Sequence, residues 1–301
     1  MRNFKGFFLT SFLALNSFSL IQPTKAEFNM PECPASGTKT YSQLLALTED
    51  AGSFECLGTP EKYEITIYEM GLCSSSFSPI TGSSGSKIWD KSTCVSTMIS
   101  DINGTKVNLA PGNSDSKVEA LPNAPERPTN GTYKYAYILI SSAFKLKGSY
   151  SLADGTTYYS KQGNDSYGPY GAADKTLLAA EEHGEEVDNI GSGEGSWTIA
   201  NSAEMGTPFQ MDGGKMSAIL LNDCNHVTNS CNTTSAKASS QTNVSKLLAI
   251  FEPTQPINIS DNTIGVEVKL EVKQGGYLIG GNNSDIEFFG SAPFRPEITT
   301  F

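Results

Sequence analysis

Gly265-Val-Glu-Val-Lys-Leu-Glu-Val-Lys273 alternates apolar and charged residues without a fault. Val266, Val268, Leu270 and Val272 fall on one side, and Glu267, Lys269, Glu271 and Lys273 on the other. Successive side chains of a strand point to opposite faces, so this segment reads as a half-buried strand with a solvated outer face of mixed sign. Tyr63-Glu-Ile-Thr-Ile-Tyr68 repeats the pattern, with Tyr63, Ile65 and Ile67 set against Glu64, Thr66 and Tyr68. Tyr133-Lys-Tyr-Ala-Tyr-Ile-Leu-Ile140 is the densest strand signal, and its Tyr133, Tyr135, Tyr137 and Leu139 share a face. Val95–Ser100, Met216–Leu221, Lys246–Phe251, Tyr277–Ile279, Ile286–Phe289 and Ile298–Phe301 add further short strands.

Turn residues punctuate these runs. Asn103-Gly104 and Asp154-Gly155 each sit between strand patterns and tolerate the positive φ of a tight hairpin, so two hairpins are expected there. Leu121–Pro128 holds three prolines in eight residues, which excludes regular structure. Lys161–Ser196 is polar and glycine-rich, with one short helix expected over Ala172–Glu182. Many short strands, Gly/Pro/Asn turns and little helical periodicity argue an all-β fold. The expected form is a β-sandwich, or an open barrel, of many short antiparallel strands with long polar loops and at most one short helix. No internal repeat at a fixed period supports a propeller or solenoid.

Residues 1–26 read as a secretory signal. Arg2 and Lys5 open it, an apolar run follows from Phe7 to Ile21, and Pro23 precedes Thr24-Lys25-Ala26 with small residues at the cleavage positions. The run is interrupted by Thr10, Ser11, Asn16, Ser17 and Ser19 and falls short of the roughly 20 apolar residues a spanning helix needs. Residues 27–301 are then one elaborated β domain, with any subdivision near 121–131. The location expected is extracytoplasmic: secreted, periplasmic or cell-surface, with no transmembrane anchor. The six cysteines agree, because an even count behind an export signal favours disulfides. Spacing alone does not fix connectivity. Local pairing is expected: Cys33 with Cys56, Cys73 with Cys94, and Cys224 with Cys231 across a polar loop.

The chain carries 21 basic and 32 acidic residues, a net charge of −11. Without the leader, which holds Arg2, Lys5, Lys25 and no acid, 18 basic residues face 32 acids and the charge is −14. Such a surface repels phosphate backbones, so nucleic acid is not expected as a partner.

Catalytic patterns are scarce. His183 and His226 are the two available imidazoles; His183 lies in an acidic run that would raise its pKa, and both read as surface residues. No Gly-x-Ser-x-Gly elbow and no His-Glu-x-x-His is present. Glu181, Glu182, Glu185, Glu186 and Asp188 form the one candidate for Ca²⁺, a hard cation that takes carboxylate oxygens, though the order is not that of an EF-hand loop. No other cofactor is expected. Tyr158, Tyr159, Tyr167 and Tyr170 stand in turn-rich context and are the candidate exposed contact surface. The function expected is that of an exported, disulfide-braced β protein acting by contact as a cell-surface, adhesive or structural subunit. Its partner would be a protein or glycan at a cell surface, or a second copy through the Gly265–Lys273 edge. The alternative is a secreted carbohydrate-binding module or a carboxylate-dependent glycoside hydrolase.

Overall fold

The alternation of Tyr63, Ile65 and Ile67 makes β2 (Lys62–Cys73) the strand on which the larger sheet is assembled. The structure, a computed structural model, describes residues 30–48, 52–76, 89–110, 127–163, 170–186, 209–211, 213–222, 224–231, 244–282 and 284–301. The leader 1–26, Tyr167, Asp188 and residues 164–169 and 187–196 of the Lys161–Ser196 segment lie outside them.

One edge of β2 pairs with β6 (Tyr135–Ser141) and then β7 (Ala143–Lys147), from Cys73 opposite Tyr135 to Lys62 opposite Lys147. The other edge pairs with β3 (Cys94–Ile99) and β4 (Thr105–Asn108). Beyond β6 come β16 (Lys246–Pro253), β13 (Gly214–Leu221) and β12 (Phe209–Met211), and β11 (His183–Glu186) pairs with β7. The second sheet runs β1 (Ser53–Gly58), β19 (Tyr277–Asn282), β20 (Ile286–Ser291), β10 (Gly171–Asp174), β9 (Thr157–Lys161) and β8 (Ser149–Ser151). Three two-stranded ladders complete the fold: β5 (Gly131–Tyr133) with β17 (Ile257–Ile259), β14 (Cys224–Asn225) with β15 (Ser230–Cys231), and β18 (Val266–Glu271) with β21 (Arg295–Thr300). The chain is thus nearly all β, its curled antiparallel sheets forming half-barrels. Both sheets join strands from either side of 121–131, since β2 pairs with β6 and β1 with β19.

The main core lies between the sheets. Tyr63, Ile65 and Ile67 of β2 and Leu146 of β7 pack in one cluster with Tyr277, Ile279 and Phe289 of the second sheet. The central strands β6, β16 and β13 are buried on both faces, so their sequences read as continuous apolar runs. Trp89, Tyr137, Leu139, Leu248 and Ile250 form a second cluster on the opposite face.

Two expectations are corrected here. Asn103-Gly104 does turn the chain, with Gly104 at φ +75° and its N–H donating to the Asp101 carbonyl at 3.1 Å. It does not make a hairpin, because β3 and β4 pair with β2 and not with each other. Turn chemistry dictates a bend, but the unpaired edge of β2 decides where the chain goes next. Asp154-Gly155, by contrast, does join the paired strands β8 and β9, with Gly155 at φ +88°. The helix expected over Ala172–Glu182 is absent. Its first residues form β10, held by β20 on one edge and β9 on the other. A short helix is marginal on its own and cannot compete with two ladders. The helix that does form among the described residues, α1 (Tyr41–Leu45), has a capping box at Thr40 and Gln43.

Cys33 is bonded to Cys56, tying the segment before α1 to β1, and Cys73 is bonded to Cys94 directly across the β2–β3 ladder. Cys224 is disulfide-bonded and stands opposite Cys231, whose side chain lies outside the described residues. These bonds are compatible with an extracellular location. No helix among the described residues is long and apolar enough to cross a membrane. The Cys33 and Cys73 bridges close loops of 23 and 21 residues. Each should therefore contribute about 3 kcal/mol by restricting the unfolded chain. Replacing Cys73 and Cys94 together by Ala is expected to lower stability by about that amount in guanidinium unfolding. An unchanged midpoint would mean that the ladder alone holds β3 in place.

Candidate functional site: an apolar cleft under a two-stranded ribbon

The face of the larger sheet that β19 and β20 cover at one end is covered at the other by the ribbon of β18 and β21. Their register sets Val266 opposite Thr300, Val268 opposite Ile298 and Leu270 opposite Pro296. The alternation read from the sequence is realised: Val266, Val268 and Leu270 are half-buried, while Glu267, Lys269 and Glu271 are exposed. Beneath the ribbon is a cleft of about 370 Å³. Its roof is Val266, Val268, Leu270, Pro296 and Ile298. Its floor is Ile67 and Met70 of β2, Ala136 and Ile138 of β6, and Ala249 and Phe251 of β16.

Two local features open this space. The β2–β6 register shifts between Ile67 and Glu69, so Ile67 and Met70, three residues apart, both line the cleft. A bulge re-aims side chains in this way. The small residues Ala136 and Ala249 stand opposite Phe251 and Ile138 in the β6–β16 ladder and leave the volume unfilled. The same shift sends Glu69 into the protein on the other face. There Lys91 Nζ lies 2.7 Å from both of its oxygens, and the hydroxyls of Ser96 and Tyr137 donate to it at 2.6 and 2.8 Å.

The polar residues lining the cleft are Thr97, Tyr137 and Arg127. Thr97 donates to the Met70 carbonyl at 3.3 Å and Tyr137 to Glu69. Arg127 stands at the mouth beside Pro128, Ile264, Gly265 and Phe301. Ile264 and Phe301 are 79% and 63% exposed, so the rim itself presents apolar surface to water.

The residues singled out by sequence are placed elsewhere. Glu181 is exposed, and Glu182 points outward to Lys62 at 2.5 Å and Lys145 at 3.4 Å. Glu185 points inward and is buried, accepting from the Ser291 N–H and hydroxyl at 2.6 and 2.7 Å. Strand alternation in and before β11 thus separates the carboxylates of the acidic run. The side chain of Glu186 lies outside the described residues, like Asp188. Among the described residues no three His, Cys, Asp or Glu groups gather as they would around a metal ion.

Of the candidate contact tyrosines, Tyr158 is corrected: it is buried, and its hydroxyl donates to Asp285. Tyr159, its neighbour in β9, is half-buried, as the alternation of that strand requires. Tyr170 is half-buried and stacks on Phe288 at 5.0 Å.

Both histidines are also corrected, since neither is a surface residue. His226 is buried, its Nε2 3.2 Å from the Ser100 carbonyl, and burial lowers its pKa. His183 packs inside β11 with Nε2 3.4 Å from the Tyr277 hydroxyl. Burial pulls its pKa down to about 4, outweighing the nearby charge of Glu182.

The cleft was not found from sequence. Its traces there are two alanines inside otherwise bulky β runs, and an apolar strand face whose cover cannot be named without the fold. Compared with known proteins, the chain matches no family model, no curated sequence and no solved structure.

The buried pair on β11 sets a pH dependence. Burial raises the Glu185 carboxyl from 4.5 to about 7, despite the two Ser291 donors that favour its charged form. A raised carboxyl stabilises the fold below its unfolded pKa, and that contribution is lost as pH rises through about 7. His183 acts oppositely: its contribution is present above 6.5 and is lost as pH falls through about 4. The melting temperature of Glu185→Gln relative to the unsubstituted protein should therefore climb between about pH 5 and 8. A difference that stays flat over that range would show that Glu185 titrates normally.

Proposed function

We propose that this is an exported, disulfide-braced β protein that acts by binding, and that its ligand is an aliphatic chain held beneath the β18–β21 ribbon. The cleft carries this reading. It has the volume of a small-molecule site, two facing aliphatic walls and few polar groups, the usual make-up of a ligand pocket. Each methylene buried there would contribute about 0.8 kcal/mol. The signal-like leader and the disulfides support the exported half of the reading. The burial of both histidines supports binding over acid–base chemistry. A sugar platform would need exposed aromatic faces, and the burial of Tyr158 and the stacking of Tyr170 on Phe288 weigh against a glycan ligand.

Nile red, a neutral apolar dye that brightens in apolar surroundings, tests the cleft directly. It should bind the oxidised full chain with one dominant site. Val268→Trp, which adds bulk to the roof, should abolish most of that signal, and Glu267→Trp, on the outward face of the same strand, should not. Equal signals from both variants would remove the cleft as the site.

A second reading, contact as an adhesive or structural subunit, is favoured by the edge of the ribbon. Among the described residues β18 pairs with β21 alone, which leaves its other edge without a strand. Antiparallel pairing of two copies about Val268 would set Glu267 against Lys269 of the second copy, a match of opposite charges. Light scattering should then show mass rising with concentration, and Lys269→Glu should suppress it. A constant monomer mass at all concentrations would exclude this assembly.

A further inference from the structure

We infer that the ligand carries a carboxylate head group, read by Arg127 at the mouth of the cleft. The inference rests on the cleft being a binding site for an aliphatic chain, and it adds the polar end that orients that chain.

Arg127 is held by four acceptors. Its Nε donates to the Thr263 carbonyl at 2.9 Å and Nη1 to the Pro128 carbonyl at 3.0 Å. Nη2 donates to Asn130 Oδ1 at 2.8 Å and to the Ser260 carbonyl at 2.6 Å. All four acceptors are neutral. They aim the guanidinium without neutralising it, and one of its five N–H donors, on Nη1, is left over. Asp261 and the Phe301 oxygen make other hydrogen bonds. Asp261 accepts from Asn130 Nδ2, and the Phe301 oxygen accepts from the N–H groups of Ile264 and Gly265 at 2.7 and 3.2 Å. Among the described residues Arg127 forms no ion pair, whereas Lys62, Lys91, Lys145, Lys147, Lys161, Lys175 and Lys269 each face a carboxylate.

Among the described residues Arg127 is thus a cation fixed by neutral partners. It stands where an apolar cleft opens to solvent, between Pro128 and the exposed Ile264 and Phe301. A single-chain amphiphile matches this arrangement end to end: the chain lies between ribbon and sheet, and the anionic head sits at the rim against the guanidinium. A charge-assisted hydrogen bond at such a partly desolvated rim is stronger than a neutral one.

The test compares myristate with myristyl alcohol, which share the chain and differ in the head. Both displace Nile red from the oxidised full chain at a pH where myristate is ionised. Myristate is expected to bind about tenfold or more tightly than the alcohol. Arg127→Gln should bring that ratio close to one, each displacement being referred to the variant's own Nile red affinity. Arg127→Lys, which keeps the charge and loses the fork, should retain part of the preference. Equal binding of acid and alcohol to the unsubstituted protein, with Nile red bound, would overturn the head-group inference and leave the cleft reading standing. A preference that survives intact in Arg127→Gln would overturn the role of Arg127. Failure of all three ligands to bind would instead overturn the cleft reading itself.

Discussion

The backbone ladder along both edges of β2 is the constraint on which the rest of the structure depends. β6 and β7 occupy one edge and β3 and β4 the other, so four strands that follow it in the chain are referred to one register. Its alternate residues Tyr63, Ile65 and Ile67 enter the main core. At its far end the Cys73–Cys94 bond joins it to β3. A slip of one residue would exchange core and solvent faces for every strand paired to it. A departure from that regularity, the shift after Ile67, turns Glu69 away from the core side and opens the floor of the cleft.

Buried polar groups serve as struts in this fold. Glu69 is fully buried and accepts from Lys91, Ser96 and Tyr137. A buried carboxylate so supplied is tolerated, and removing one partner would leave an uncompensated charge. Tyr137 has its hydroxyl pKa pushed up, first by burial and then by Glu69, so it remains a donor to that carboxylate. Glu185 is similarly enclosed with Ser291 for a partner, and Gly171 leaves room for the His183 ring beside it. Satisfied networks of this kind make a core specific at some cost in stability.

Binding, in contrast, is located where packing is incomplete. The ribbon meets the sheet through aliphatic side chains on both sides and leaves a volume between them. The ribbon is hydrogen-bonded within itself, and Arg127 fastens the loop at residues 260–263 to the segment before β5. Roof and floor thus belong to separately hydrogen-bonded layers, so a ligand can lie between them without breaking a ladder.

The sequence by itself determined the all-β class, because period-two alternation in Tyr63–Tyr68 and Gly265–Lys273 admits no other regular structure. It also determined which side chains of β18 would be charged and outward, since that follows from parity alone. It misjudged the Ala172–Glu182 segment and the direction taken after Asn103-Gly104, because both depend on which strand edge is open nearby. It placed His183, His226 and Tyr158 at the surface, because polarity of the neighbouring sequence says nothing of what packs above a residue. Only the tertiary structure decided that the acidic run is divided between two faces and that the apolar face of β18 roofs a cleft. It also decided that Arg127 comes to rest at the mouth of that cleft. Each of these joins residues far apart in the chain, and their proximity is fixed by sheet register and layer packing, which no local pattern encodes.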